Sequence, residues 1–230
     1  MNPRAKDLYG LDPSLRTDYE SLRLDLVRSR WDAKAGRWDR DLADPSCHLH
    51  EDDAYRRFLQ IVSAVVAGRA AFCRRRLLVD LGCGTGLVLA HCTGSFAEGL
   101  GIDLSPRMVE AARQKRIPRA RFEVGNAFDL SRSVSRAGAI VSRGVLLSHY
   151  GRPWAPALLR EVHRSLAPDG GFAVLDFLNA AARHRYASNP DNKTFFSAGE
   201  VRSLALQAGF RRCFCFGEPH RRSLVVLLEC

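Results

Sequence analysis

One stretch, LLVDLGCGTGLVLA at residues 77–90, constrains the fold of this chain more than any other. An apolar run ends in an acid and passes directly into a loop with glycine at alternate positions, Gly82, Gly84 and Gly86. Glycine costs backbone entropy in any regular element, so three of them in five residues indicate a specific structural need. The pattern predicts a strand that ends in a turn whose bare backbone lies against a ligand.

Short apolar strands alternate with helices from residue 77 onward, which predicts an α/β fold with a parallel, doubly wound sheet. The last two predicted strands are separated by a loop short enough for a hairpin, so one strand is expected to run antiparallel. The predicted strands are 77–81, 99–104, 121–125, 139–143, 172–178, 213–217 and 223–229. One predicted helix of this region starts near Leu87, and three others span 106–115, 156–167 and 198–208.

The residues before this pattern are predicted to be helical, with helices at 17–30 and 51–68, the second carrying acids in its first turn. Between them lies WDAKAGRWDRDLADPS, which mixes aromatic and charged residues and ends in a Pro-Ser breaker. We therefore divide the chain into an N-terminal helical cap, residues 1–70, and a Rossmann-like domain, residues 71–230.

An acid at the end of the second predicted strand gives the glycine loop a partner. Asp103 lies 17 residues beyond Gly86, where a carboxylate accepts hydrogen bonds from both hydroxyls of an adenosine ribose. NAD and S-adenosylmethionine both satisfy this pattern. The second is favoured because the spacing is GxGxG rather than GxGxxG, and because Asp80 repels a pyrophosphate but suits an ammonium and a sulfonium.

Several motifs in fixed order resemble the class I S-adenosylmethionine-dependent methyltransferases of small-molecule type. They are DLGCGTG with GIDLS, then VGNAFDL, IVSRG and LAPDGGFAVLD, with WDAKAGRWD upstream. The resemblance covers roughly residues 77–229. It implies a seven-stranded sheet in the order 3-2-1-4-5-7-6 with strand 7 antiparallel, S-adenosyl-L-methionine as cofactor and S-adenosyl-L-homocysteine as product.

The resemblance also assigns cofactor-binding roles to residues of this chain. The methionine portion is expected against Gly82, Cys83, Gly84 and Asp80, the ribose on Asp103, and the adenine near Leu104, Met108, Asn126, Ala127 and Phe128. Arg143 and Gly144 are expected to line the methionine end, and Trp31 and Trp38 to close over the cofactor. Asn126 stands where the family often has aspartate. Trp38 has a second interpretation, a packing contact between the N-terminal helices.

Methyl transfer to a hydroxyl requires a base, and SRGVLLSHYGRP at 142–153 follows the fourth strand, where the substrate cavity is expected. We predict His149 as the general base and Tyr150 as a group that orients a substrate oxygen. His149 can equally be a hydrogen-bonding residue of a turn. Asp176 and Asn179, at the end of the fifth predicted strand, are alternative bases or orienting groups. The polar segment 184–197 is predicted to form a substrate lid, with His184, Arg185, Tyr186 and Phe195 as candidates.

A net charge of +10, mostly from arginine, leaves two interpretations open. It indicates either a nucleic-acid or acidic partner, or an arginine-rich surface without that role. The second is favoured, since no basic cluster is interleaved with stacking aromatics. Neither a membrane span nor a signal peptide is evident, and the seven cysteines show no metal spacing. These features predict a cytoplasmic monomer or homodimer without a metal.

The leading hypothesis is thus a methyltransferase for a small molecule, such as a specialised metabolite. A second hypothesis is a methyltransferase for RNA, DNA or protein, although the segment after the fourth strand, Ser142-Arg143-Gly144-Val145, lacks the Asn/Asp-Pro-Pro-Tyr-like motif of enzymes that methylate base amines. A third is a cofactor-binding scaffold that no longer transfers methyl groups. The glycine loop and Asp103 predict binding alone, so they do not separate the three.

Overall fold

A computed structural model describes residues 16–44, 53–145, 154–186, 194–217 and 221–230. The strands are β1 (Leu77–Leu81), β2 (Glu98–Asp103), β3 (Ala120–Val124), β4 (Ala139–Ser142), β5 (Phe172–Asn179), β6 (Phe195–Phe196), β7 (Arg212–Phe216) and β8 (Ser223–Glu229). The α-helices are α1 (Arg16–Asp32), α2 (Trp38–Ala43), α3 (Ala54–Ala67), α4 (Ala70–Cys73), α5 (Leu87–His91), α6 (Pro106–Gln114), α7 (Leu130–Ser133), α8 (Ala155–Ser165) and α9 (Ala198–Ala208). Short 3-10 helices span Ala35–Arg37, Ala127–Asp129 and Ala180–Tyr186.

The sheet has the strand order β3-β2-β1-β4-β5-β8-β7. Strands β1 to β5 run parallel, and β8 pairs antiparallel with both β5 and β7. Counted without β6, this is the predicted order 3-2-1-4-5-7-6 with its antiparallel strand, so the predicted fold class is confirmed. The carboxyl ends of β1, β2, β4 and β5 therefore meet at one edge of the sheet, where ligands bind in such folds.

The two-residue strand β6 was not predicted. It pairs in parallel with the end of β5, Leu178 and Asn179, on the side of β5 that β8 does not occupy. It therefore extends the sheet beyond the end of β4, at the edge where the site is expected. The predicted lid, 184–197, is only partly a loop, because a 3-10 helix continues to Tyr186 and β6 begins at Phe195.

Helices cover both faces of the sheet, and each face has its own apolar core. One core includes Leu158 of α8 and Val201 of α9, and the other includes Phe58 of α3 and Val109 of α6. Strand β5 lies between the two cores and is buried along its whole length. Helix α3, from the predicted cap, thus packs directly on the sheet, and the division at residue 70 stays a prediction.

The helix boundaries follow local chemistry. Ser105 caps α6 by accepting from the Met108 backbone N–H at 3.1 Å, with Pro106 at the first helical position. Ser197 and Glu200 form a reciprocal capping box at the start of α9. The predicted helix 51–68 is described from Ala54, and the expected acids of its first turn are not within it. Asp53 precedes this helix at the N-cap and makes no capping hydrogen bond.

Within the described ranges, no helix is both long and apolar enough to cross a bilayer. The same ranges contain no group of three or more histidine, cysteine and acidic side chains that could hold a metal ion.

Candidate functional site

The glycine loop lies at the end of β1, where the sequence predicted it, and all three of its glycines have positive φ. Gly86 has a φ of +82°, and a Cβ there would lie 2.8 Å from the Phe122 ring, so the start of α5 packs against β3 only with glycine. At Gly84 the nearest atom to an added Cβ is Trp38 Nε1, at 3.8 Å. The loop therefore exposes bare backbone next to an aromatic ring.

Asp103 holds this loop against the end of β2. One carboxylate oxygen accepts the Gly84 backbone N–H at 2.9 Å and the other accepts the Ser105 N–H at 2.8 Å. Burial raises the pKa of Asp103, while these backbone hydrogen bonds oppose the shift. The structure thus brings together the two sequence features that predicted an adenosine site. Ribose binding by Asp103 stays a prediction.

Asp80 is the clearest sign of a ligand at this edge. Its side chain is 1% exposed, and Oδ2 is buried without a hydrogen-bond partner. Burial, and then the charge of Asp103, raise the pKa of Asp80 to about 8. A buried carboxylate without a partner is costly, and a cation would remove that cost. The ammonium of S-adenosylmethionine is such a cation, so the residues present fit the cofactor that the resemblance implies.

Arg143 lies at the end of β4 and faces two neighbours. Its Nε is 3.7 Å from Asp176 Oδ2 of β5, and its guanidinium lies 5.4 Å from the centroid of the Tyr55 ring of α3. Its Nε and Asp176 Oδ2 are buried without hydrogen bonds. Arg143 therefore has a buried donor available at the predicted methionine end, where a carboxylate of the cofactor is expected.

Tyr55 belongs to this site, although sequence reasoning missed it. Its pKa is raised, first by burial and then by the charge of Asp80, so its phenol stays protonated and can donate. The charge of Arg143 acts in the opposite direction on the same phenol. No sequence signal distinguishes Tyr55 from any other helical tyrosine, because only the packing of α3 brings it to Asp80 and Arg143.

The predicted alternative bases have structural partners. Asp176 is buried and accepts a hydrogen bond from Ser223 of β8. Burial raises its pKa and the charge of Arg143 opposes the shift. Asn179 donates to the Arg221 carbonyl at 2.9 Å and accepts the Ala181 N–H at 3.1 Å. These contacts give Asn179 a role in closing the turn after β5.

The predicted adenine end is formed by partly buried groups around the ends of β2 and β3. Asn126 Oδ1 accepts the Phe128 N–H at 3.0 Å, which caps the 3-10 helix that starts at Ala127. The Phe128 ring packs against Trp154 with centroids 4.9 Å apart. A carbonyl oxygen has two lone pairs, so Asn126 keeps capacity for an adenine amino group. Leu104 is partly exposed, whereas Met108 is buried in α6.

The remaining predicted residues divide between described and undescribed parts of the chain. Cys83 is buried in the glycine loop, and Gly144 follows Arg143 at a φ of +143°. His149 and Tyr150 lie outside the described residues. His184 is exposed at the end of the 3-10 helix, Phe195 is buried in β6, and Arg185 and Tyr186 belong to that same 3-10 helix.

The WDAKAGRWD segment fastens the cap to both cofactor loops through its two aspartates. Asp32 accepts from Ser105 Oγ at 2.5 Å and from the Arg107 N–H at 3.2 Å, at the start of α6. Asp39 accepts from Thr85 Oγ1 at 2.5 Å, inside the glycine loop, and pairs with Lys115 at 2.6 Å. Trp31 and Trp38 pack edge to face between these contacts, with centroids 5.1 Å apart. The two Trp-Asp pairs are seven residues apart in the sequence, and only their tryptophans, not their aspartates, were predicted to have a role.

Comparisons with known proteins agree with this geometry. Residues 78–170 match a family described as a methyltransferase domain. The chain is 32% identical to a trans-aconitate 2-methyltransferase of Deinococcus radiodurans over 145 residues, 60% of this chain and 51% of that protein. It is 36% identical to the enzyme of the same name from Methylobacterium radiotolerans over 104 residues, 43% of this chain and 37% of that protein. The chain thus matches about half of the first relative's length and less of the second's.

A solved structure of magnesium protoporphyrin IX methyltransferase from Synechocystis with bound S-adenosylhomocysteine has the same fold. The TM-score is 0.67 at 20% identity, covering 90% of this chain and 99% of that one.

We predict that Asp80→Asn removes proton release on cofactor binding. The free protein holds a proton on Asp80 up to about pH 8, and an ammonium beside it displaces that proton. Calorimetry of S-adenosylhomocysteine binding at pH 7, in buffers of different ionisation enthalpy, should show release of nearly one proton by the wild type and none by the variant. Affinity should fall about tenfold or more, as expected for a hydrogen bond to a charged group.

Asp80→Asn should weaken cofactor binding but make the stability of the free protein less sensitive to pH. The unfolded chain releases this proton near the ordinary pKa of 3.8, so the free energy of unfolding of the free wild type falls as the pH rises from about 4 to 8. Asp80→Asn should lessen that fall, and 5′-methylthioadenosine, which lacks the amino-acid portion, should bind both proteins equally. Equal proton release by both proteins would contradict the assignment of Asp80.

We predict that Asp39→Ala loosens the cap and weakens cofactor affinity. The change leaves the buried Thr85 hydroxyl without its acceptor, which costs about 1–3 kcal/mol. Asp41→Ala is the matched control, because Asp41 lies on the same helix and makes an exposed ion pair with Arg37 at 3.4 Å, worth about 0–1 kcal/mol. Urea unfolding and S-adenosylhomocysteine calorimetry measure both effects. Identical behaviour of the two variants would show that the Asp39 contact does not fasten the cap.

Proposed function

We propose that the protein is a class I S-adenosylmethionine-dependent methyltransferase that methylates an oxygen of a small molecule, and the match of residues 78–170 to a family described as a methyltransferase domain supports this. The observation that carries the proposal is Asp80 beside the glycine loop, which is buried and whose Oδ2 has no hydrogen-bond partner. A scaffold that binds nothing at this edge would gain stability by replacing that acid with a neutral residue. The relatives and fold neighbours support the family, and the activity of the whole protein is our inference.

The bound cofactor supplies a methyl group on a sulfonium, which is already a good leaving group. The residues of this chain hold it and exclude water. The glycine loop offers backbone, Asp103 offers a carboxylate for the ribose, and Asp80 with Arg143 offers opposite charges for the amino-acid portion. Positioning of this kind lowers a barrier by about 7–11 kcal/mol when the reacting groups are well aligned.

Val145 supports the position of the proposed catalytic residues. A Cβ on Gly82 would lie 2.5 Å from Val145 Cγ2, so the chain that leaves β4 passes directly over the glycine loop. His149 and Tyr150 follow Val145 in the sequence and lie outside the described residues, so their approach to the methionine end is part of the proposal. We propose His149 as the base that accepts the proton of a hydroxyl acceptor and Tyr150 as the group that orients its oxygen.

The proposed acceptor is a small organic acid or hydroxylated metabolite. The names of the two curated relatives refer to trans-aconitate, a carboxylic acid. The match to the Deinococcus protein covers 60% of the present chain. A carboxylate oxygen needs no base, whereas a hydroxyl does, so the two acceptor types make different demands on His149.

Transfer of labelled methyl groups tests the proposal. The protein is incubated with methyl-labelled S-adenosylmethionine and, separately, with a small-metabolite extract or with total RNA. Label in the metabolite fraction is expected, and alkaline hydrolysis then distinguishes a methyl ester, which releases methanol, from an ether or a methylamine. Label in the RNA alone, or in neither fraction while S-adenosylhomocysteine still binds, would overturn the proposal.

For a hydroxyl acceptor, we predict that His149→Ala lowers the rate of methyl transfer about 10²–10⁴-fold, the usual contribution of a general base. Binding of S-adenosylhomocysteine should be unchanged. His91→Ala is the matched control, because His91 is exposed at the end of α5 and hydrogen bonds with Ser63 at 2.7 Å. A loss of less than about threefold, with a hydroxyl acceptor, would return His149 to a structural role.

A further inference from the structure

Two thiols lie side by side on β7, far along the sheet from the proposed active site. Side chains alternate between the faces of a strand, so Cys213 and Cys215 share one face. Their Sγ atoms are 4.0 Å apart, and both side chains are half-buried against α9. The residues opposite them on β8 are Leu228 and Val226, which are apolar.

The surroundings of this pair favour one thiolate. The hydrogen bond between the two sulfurs, and then the charge of Arg202 of α9, lower the pKa of Cys215 to about 7, while burial opposes the shift. The hydrogen bond with Cys215, and then burial, raise the pKa of Cys213, so Cys215 is the more acidic thiol of the pair. The thiolate is the reactive form of cysteine. By contrast, burial raises the pKa of Cys230, which makes it an internal reference.

A disulfide here requires local movement of the backbone, because side chains two apart on a strand are parallel and their Cβ atoms lie about as far apart as their Cα atoms, beyond the range of about 3.5–4.5 Å found in disulfides. Residues two apart on a strand have Cα atoms about 6.6 Å apart, near the upper limit of about 6.8 Å for disulfides. A strained and partly exposed disulfide is easily reduced, which is typical of regulatory rather than structural bonds.

We propose that Cys213 and Cys215 form a redox modification site that is oxidised by hydroperoxides to a disulfide and restored by small thiols. The Cys215 thiolate attacks the O–O bond of the peroxide, which gives a sulfenic acid and releases hydroxide or alkoxide. The Cys213 sulfur then attacks the sulfenic sulfur, the S–S bond forms, and the hydroxyl leaves with the Cys213 proton as water. The peroxide gains two electrons and the cysteine pair loses two.

Contacts connect Cys215 to the first turn of α9 and to β6, which pairs with the end of β5 near the proposed active site. Cys215 Sγ lies 3.9 Å from the Ala198 carbonyl in the first turn of α9. The preceding residue, Ser197, caps that helix and follows β6 directly. A disulfide must turn the Cys215 sulfur toward Cys213 and away from Ala198. The first turn of α9 and strand β6 are therefore the parts expected to respond.

Mass spectrometry of the full-length protein after treatment with hydrogen peroxide at pH 7 tests the site. The wild type should lose two hydrogen atoms, mapped to the peptide that carries both cysteines, and dithiothreitol should restore them. Cys213→Ser keeps a hydroxyl donor but cannot resolve, so a sulfenic acid trapped by dimedone should accumulate on Cys215. Cys215→Ser should abolish both products. Conversion of wild-type Cys215 to sulfinic acid without a disulfide, or no oxidation of either sulfur, would overturn the proposal.

Two further readouts separate a reactive pair from a packing pair. In the reduced wild type at pH 7, iodoacetamide should alkylate Cys215 about tenfold or more faster than Cys230. Cys230→Ser is the control variant and should leave both the disulfide and the Cys215 rate unchanged. Hydrogen exchange over residues 195–201 should accelerate on oxidation in the wild type and in Cys230→Ser, but not in Cys215→Ser. Equal alkylation rates at Cys215 and Cys230 would contradict the assignment. A hydrogen-exchange rate over residues 195–201 that oxidation of the wild type does not change would also contradict it.

Discussion

The site depends on the two hydrogen bonds that the Asp103 carboxylate accepts. This carboxylate accepts one N–H from the glycine loop and another from the start of α6, so a single side chain ties the end of β1 to the end of β2. Both donors are backbone groups that would otherwise need water or a ligand. The same carboxylate is the predicted ribose acceptor, so the free protein already holds both loops in place around the ligand position.

Buried charge is concentrated where β1, β4 and β5 end. Asp80, Asp176 and Arg143 each have a buried polar atom without a hydrogen bond, and Tyr55 lies within electrostatic reach of Asp80 and Arg143. Such groups destabilise a fold unless something compensates for them. In our proposal, a zwitterionic amino-acid portion would provide that compensation, with its ammonium beside Asp80 and its carboxylate beside Arg143. We expect these buried groups to destabilise the free protein and to favour a ligand that carries matching charges.

The WDAKAGRWD segment is fastened to the two loops at the ends of β1 and β2 by hydrogen bonds to its aspartates. Asp32 and Asp39 each reach one of the two cofactor loops, while Trp31 and Trp38 pack against each other between them. Hydrogen bonds to loop hydroxyls can break and re-form more readily than a packed core can. This arrangement suits a segment that must let a ligand enter and then exclude water around it.

The sequence by itself determined the α/β class, the strand order through its resemblance, and the identity of the glycine loop with Asp103. These are local signals, since alternation of apolar residues and glycine spacing follow directly from strand pleating and backbone sterics. Asp80 was also identified from the sequence, because its position within a strand end is a local fact. Only the tertiary structure decided which side chains from distant segments meet. Tyr55, the two cap aspartates and β6 acquire their roles from packing between elements far apart in the chain, which no local pattern encodes.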